Sequence, residues 1–308
     1  MFANFFYILV NIITPVFIII GIGMLLQRIF QLDLNTLAKL NMYFYVPGII
    51  FIKLYESDFS FDLLVWVLVF SLSFFAISLI VAWIVGRFFP FTREERTVFS
   101  NSIVFYNSGN YGIPVNGLAF KQDPFAMSVQ IMTLLVQNVL TFSYGVFLMR
   151  SAQVSKWKAV VGYFKMPIVY AILLAVFLNV FDLEMPAFLL TPAQYIGDGL
   201  VSIALVTLGA QVAQLSFRIR DMRIWVSTVI RLVVCPALGL LLIYLFRLDG
   251  ILAQALFIST AMPTSVNSAI IAQEYNNAPD MAARVVLLST LLSSLTVSII
   301  ISLAWQLW

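Results

Sequence analysis

The chain has 308 residues, of which 62% are hydrophobic and 10% are charged, with a net charge of +3. A water-soluble domain of that size could not hide so much apolar surface, so the solvent must be lipid. The absence of histidine, the single cysteine (Cys235) and the lack of a Gly-rich phosphate loop exclude several functions at once: a Ser-His-Asp triad, a cysteine-rich metal site, a disulfide framework and ATP-driven pumping.

Apolar segments recur at 4–29, 36–54, 62–86, 95–120, 124–149, 160–181, 191–213, 223–246, 250–274 and 280–307. Each reaches or approaches the ~20 residues that cross a bilayer, so an all-α integral membrane protein with ten transmembrane helices is expected. The first segment lacks a basic leader and a small-residue cleavage site, and reads as a retained span rather than a signal peptide.

Charge sets the orientation. Of 17 basic residues, thirteen follow the odd-numbered spans: Arg28, Lys39, Arg87, Arg93, Arg96, Arg150, Lys156, Lys158, Lys165, Arg218, Arg220, Arg223 and Arg284. Only Lys53, Lys121 and Arg247 follow even-numbered ones, and Arg231 lies inside a span. Excess Lys and Arg mark the cytoplasmic side, so both termini are expected to face outward. Glu94-Glu95-Arg96 reads as solvated charge on that inner face. Five spans per half is an odd number, so two repeats, 1–150 and 151–308, must be inverted in the membrane. Pro15 and Pro167 open the first span of each half, and Pro114 and Pro263 interrupt the fourth. The seam is the short polar stretch 150–158.

The interruptions carry the functional signal. One is Asn107-Ser-Gly-Asn-Tyr-Gly-Ile-Pro114 and the other Met262-Pro-Thr-Ser-Val-Asn267. Broken helices at matching positions of two halves point to a transporter binding site. Proline lacks an N–H and clashes with the carbonyl one turn earlier, so Pro114 should free the Asn110 carbonyl and Pro263 that of Ser259. Gly109 and Gly112 should loosen the first break through their wide conformational range. Each break creates a half-helix N-terminus that favours an anion, amid the amides and hydroxyls of Asn107, Asn110, Thr264, Ser265 and Asn267. A simple proline kink glued by Ser and Asn explains one such break well, and two equivalent ones poorly.

Two ionisable side chains sit within spans. Arg231 lies ~12 Å from the cytoplasmic end of the eighth at 1.5 Å per residue. It could draw an anion, lock the ninth-span break, or snorkel to the surface. Asp198, in the seventh, could take up a proton, bind a cation or form a structural pair.

At this point the residues resemble a known family. Asn107-x-x-x-x-Gly112-Ile-Pro114 is similar to the fourth-helix crossover of the auxin efflux carrier family, which includes the plant PIN proteins and many bacterial permeases. Ala261-Met-Pro263, then Ala272-Gln-Glu-Tyr-Asn276 and Pro279-Asp280, resemble its ninth helix and exit loop. Val129-Gln130-Ile131 resembles the fifth, Asp198 with Leu208-Gly209 the seventh, Arg231-Leu-x-x-x-Pro236-Ala237 the eighth, and Pro47 the second. The ordered set covers nearly the whole chain.

The resemblance implies two inverted five-helix repeats whose fourth and ninth helices cross at mid-membrane. It implies a scaffold of helices 1, 2, 6 and 7, often paired as a homodimer, and an elevator-like transport domain of helices 3–5 and 8–10. It also implies auxin or small carboxylates such as malate and malonate as cargo, with Asn107 and Gln130 matching substrate-site positions. Asn267 departs from the plant proteins, which carry an apolar residue there, and their long cytoplasmic loop is missing. Both departures point to a bacterial inner-membrane permease for a smaller anion than auxin.

The expected function is therefore a secondary carrier of small organic anions, with no enzyme activity and no cofactor or metal. A proton is the candidate coupling ion. A sodium-coupled symporter of related fold would place carboxylates near the crossover, and neither break has one. A channel would need a continuous polar stripe, and an intramembrane enzyme a paired nucleophile and base. A receptor that binds a carboxylate without moving it is separated from a carrier only by flux.

Overall fold

Lipid offers backbone N–H and C=O groups no partner, so an apolar chain must satisfy them within helices or a closed barrel. The computed structural model, which describes residues 2–56, 61–145, 167–214 and 221–308, takes the helical course. Among the described residues there is no strand, only an isolated antiparallel bridge between Tyr106 and Thr264. The predicted seam at 150–158, with Arg150, Lys156 and Lys158, lies outside the described residues, as do Lys165, Arg218 and Arg220.

The helical stretches are α1 (2–30), α2 (34–55), α3 (Phe61–Gly86), α4 (Arg93–Val104), α5 (108–119), α6 (124–145), α7 (Pro167–Val180), α8 (Ala187–Ala213), α9 (222–246), α10 (Gly250–Thr260), α11 (Val266–Glu274) and α12 (Pro279–Leu307). Among the described residues five stretches are long and apolar enough to cross a membrane: Phe5–Phe30, Asp62–Gly86, Ala187–Ala213, Met222–Phe246 and Pro279–Leu307. Shorter apolar helices run over Pro124–Leu140, Val169–Val180 and Gly250–Thr260.

The starts follow from capping chemistry. Asp33, Asp123 and Asp221 each accept a backbone N–H from the first turn that follows them. Thr92 and Glu95 form a reciprocal capping box at the head of α4. Glu95 is thus more than a solvated loop charge. It also pairs with Arg223 at 2.6 Å, which ties the heads of α4 and α9 together.

The prolines act differently from simple kinks. Pro15, Pro47, Pro114 and Pro236 each follow a single π-helical turn, at Leu9–Ile13, Asn41–Tyr45, Ser108–Gly112 and Ile230–Val234. The wider turn moves a carbonyl out of the way of the proline ring. The Thr14 N–H accordingly reaches back five residues to the Leu9 carbonyl, and the Val46 N–H to that of Asn41.

Packing sorts the helices. α8 lies against α1 and α2, and α7 against α2. α3, α4, α6, α9, α10 and α12 pack among themselves. Between α1 and α8 the backbones nearly touch: a Cβ on Gly209 would strike the Ile20 carbonyl, and one on Gly23 the backbone of Val206. Small residues at such crossings allow close approach where lipid supplies no hydrophobic drive.

Candidate functional site

Where α4 and α10 end, the chain leaves helical geometry for a few residues and then resumes as α5 and α11. The two unwound segments cross and pair. The Asn107 N–H donates to the Pro263 carbonyl at 2.7 Å, and the Ser265 N–H donates to the Phe105 carbonyl at 2.9 Å. This two-bond bridge satisfies backbone groups that lipid would leave unpaired. The unwound residues are 105–107 and 261–265. The first break therefore lies before its predicted position, because Ser108–Gly112 stays wound as a π-turn ahead of Pro114. Gly109 and Gly112 do not use left-handed backbone. Gly112 instead makes room, since a Cβ there would sit 2.5 Å from the Gln130 side-chain nitrogen.

The last carbonyls of both half-helices have partners. At the end of α4, Ser102 accepts from the Thr264 hydroxyl at 2.8 Å, Ile103 from an Arg231 guanidinium nitrogen at 2.8 Å, and Val104 from the Gln137 amide at 3.4 Å. At the end of α10, the Ser259 carbonyl accepts from the Met262 N–H at 3.3 Å, and the other guanidinium nitrogen of Arg231 donates to the Thr260 carbonyl. Arg231 is 0% exposed, between the rings of Phe74 and Tyr106. It does not snorkel, and it does not line the cavity described next. Its charge sits at the negative ends of two helix dipoles, where a cation is favoured.

The positive ends converge on the other side of the bridge. There a cavity of about 100 Å³ is bounded by Asn107, Ser108, Gly109, Asn110, Ser265 and Asn267. Its opposite wall brings Asn41 from α2, Gln137, Asn138 and Thr141 from α6, and Thr207 and Gln211 from α8. Among the described residues no charged side chain lines it. The Asn107 amide nitrogen and the side-chain oxygens of Asn41 and Gln211 are buried and lack a protein partner. Buried polar groups are normally satisfied, so these three suit a polar guest.

The sequence-predicted residues therefore separate. Asn107, Asn110, Ser265 and Asn267 meet at the cavity. Thr264 is fully buried behind it: its hydroxyl donates to the Ser102 carbonyl, and its N–H donates to the Ser289 hydroxyl at 3.1 Å. Gln130 is also fully buried. Its nitrogen donates to the Ser108 carbonyl at 2.6 Å, and its oxygen accepts from the Ser259 hydroxyl at 2.6 Å and from the Asn116 amide. It thus ties α6 to both broken helices. Asp198 is exposed on α8 and does not line the cavity. Asn41, Gln137, Asn138, Thr207 and Gln211 escaped the sequence reading. Amides inside otherwise apolar segments were the available signal.

Paired helix breaks within an apolar helical body are the arrangement expected of a membrane transporter. The chain matches the family model described as membrane transport protein over residues 34–301, and it belongs to that family, the auxin efflux carriers. The family is one of transporters rather than enzymes, and membership makes this a multi-pass membrane protein. Among curated proteins no relative matches.

Proposed function

We propose that this protein is a secondary carrier of small organic anions, carboxylates such as malate or malonate, that works by elevator-type alternating access. The observation that carries this reading is the uncharged polar cavity at the paired helix breaks. Two half-helix N-termini and the amides of Asn107, Asn110 and Asn267, with the Ser265 hydroxyl, can hold a carboxylate without a countercharge and release it again. A water occupies roughly 10–15 Å³ by the same measure, so the cavity suits a guest the size of several waters better than a large aromatic acid. Gln130 and Thr264 serve by fixing the break around that guest.

In this reading the helical stretches form ten spans, arranged as two inverted five-helix repeats in a bacterial inner membrane with both termini outside. α1, α2, α7 and α8 form the scaffold and the remaining helices move. The packing of α8 on α1 and α2, and of α7 on α2, supports that division. The cavity shares Ala38 and Gln211 with a wider vestibule of about 730 Å³ that also includes Asp33 and Asn35, near the basic residues Arg28 and Lys39. Positive charge marks that side as cytoplasmic, so the conformation is inward-facing. Asp198 on the outside of α8 supports a homodimer, since a carboxylate uncovered in lipid is costly. A proton is the coupling ion this reading favours.

The test is uptake of labelled malate or malonate into liposomes containing purified protein. Asn107→Ala or Asn267→Ala should lower uptake at least tenfold while leaving yield and monodispersity unchanged. Uptake unaltered in both variants overturns the site assignment.

A further inference from the structure

A second groove, remote from the crossover, lies between the end of α3 and the beginning of α4. It has a volume of about 500 Å³ and combines two kinds of surface. On α4, Arg93, Arg96, Thr97 and Ser100 face it. Their spacing of i, i+3, i+4 and i+7 makes one continuous helix stripe. On α3 the facing side chains are apolar, chiefly Ile80 and Trp83, and Tyr144 of α6 closes the inner edge. No acidic side chain lines the groove among the described residues. Glu95, on the same turn of α4, is already engaged: it bonds Arg223 and caps its own helix. Arg87 lies over the Trp83 ring at 3.6 Å, adding a third cation at the rim.

The groove opens onto surface that is itself apolar. Ile80 is 56% exposed, Trp83 58% and Phe88 79%. In a membrane protein this face meets acyl chains, and the arginines beside it belong to the basic, cytoplasmic side. Basic pockets between helices at that level suit anionic lipid headgroups.

We propose that this groove is a binding site for an anionic glycerophospholipid of the inner leaflet. The guanidinium groups of Arg93 and Arg96 take the phosphate, to which planar N–H forks are well matched. The hydroxyls of Ser100 and Tyr144 meet the glycerol region. One acyl chain runs along Ile80 and Trp83. A free phosphate would use the arginines and leave the apolar wall idle, which is why a lipid is the better occupant. The site is independent of what the crossover carries.

Native mass spectrometry of the purified, delipidated protein tests this. It would be titrated with phosphatidylglycerol, with phosphatidylcholine, and with phosphatidylglycerol in the presence of excess inorganic phosphate. The expected result is about a tenfold or larger preference for phosphatidylglycerol, from two surface cations. The preference should be resistant to inorganic phosphate and abolished in the Arg93→Gln/Arg96→Gln variant. Both side chains are exposed, and the variant's thermal midpoint checks that it is folded; Arg96→Gln alone should give an intermediate preference. Equal retention of the two lipids, or a preference that survives the double substitution, overturns the proposal. Displacement of the lipid by inorganic phosphate also overturns it, in favour of a free-anion site.

Discussion

Arg231 holds the two helix breaks together without lining the cavity beside them. Its guanidinium spans the ends of α4 and α10, giving the Ile103 and Thr260 carbonyls donors that no nearby backbone supplies. Removing it leaves the buried Thr260 carbonyl without this donor and the Ile103 carbonyl with only the weak Cys235 thiol at 3.9 Å, at about 1–3 kcal/mol for each lost bond. Arg231→Ala should therefore lower the thermal midpoint of the detergent-solubilised protein. Arg231→Lys should recover part of the loss, because an ammonium group keeps the charge but lacks the fork that reaches both ends. Indistinguishable midpoints for all three proteins would remove the bridging role. Sequence placed this arginine inside a span and offered three roles for it. The choice among them depended on which carbonyls the breaks left free, and that is settled only by how two segments more than 150 residues apart cross.

At the scale of elements, the helical segments were legible because apolar runs and their polar boundaries are local properties. The breaks were legible for the same reason, through Pro114, Pro263 and the Asn-rich stretches around them. Their edges were less so. A proline rule marks where a helix must give way, and here it gave way by widening into a π-turn, with the true unwinding at 105–107. The polar wall supplied by Asn41, Thr207 and Gln211 was hidden by ordinary-looking helices and became visible only once α2 and α8 met the crossover. The contact between α1 and α8 supplies a check at this scale. Gly209→Val places a side chain against the Ile20 carbonyl and should lower the thermal midpoint clearly. Gly21→Ala, where a Cβ meets nothing within 4 Å, should change it little. Equal effects from the two substitutions would mean that α1 and α8 do not approach this closely.

For the molecule as a whole, the two breaks place opposite chemistry on opposite sides of one backbone bridge. The negative helix ends are held together by Arg231. The positive ends open on a small cavity without charge. Under the proposed function, an anion there would be held by dipoles and amides alone, weakly enough to leave again. Under the proposed alternating access, this cavity is offered to the two sides of the membrane in turn. Counterflow measures that most directly: proteoliposomes preloaded with unlabelled malate or malonate are diluted into a trace of the labelled acid. A carrier with alternating access should accumulate label transiently, well above the level in empty-loaded vesicles. Equal entry with and without internal anion would contradict the account and leave a channel or a non-transporting receptor in its place.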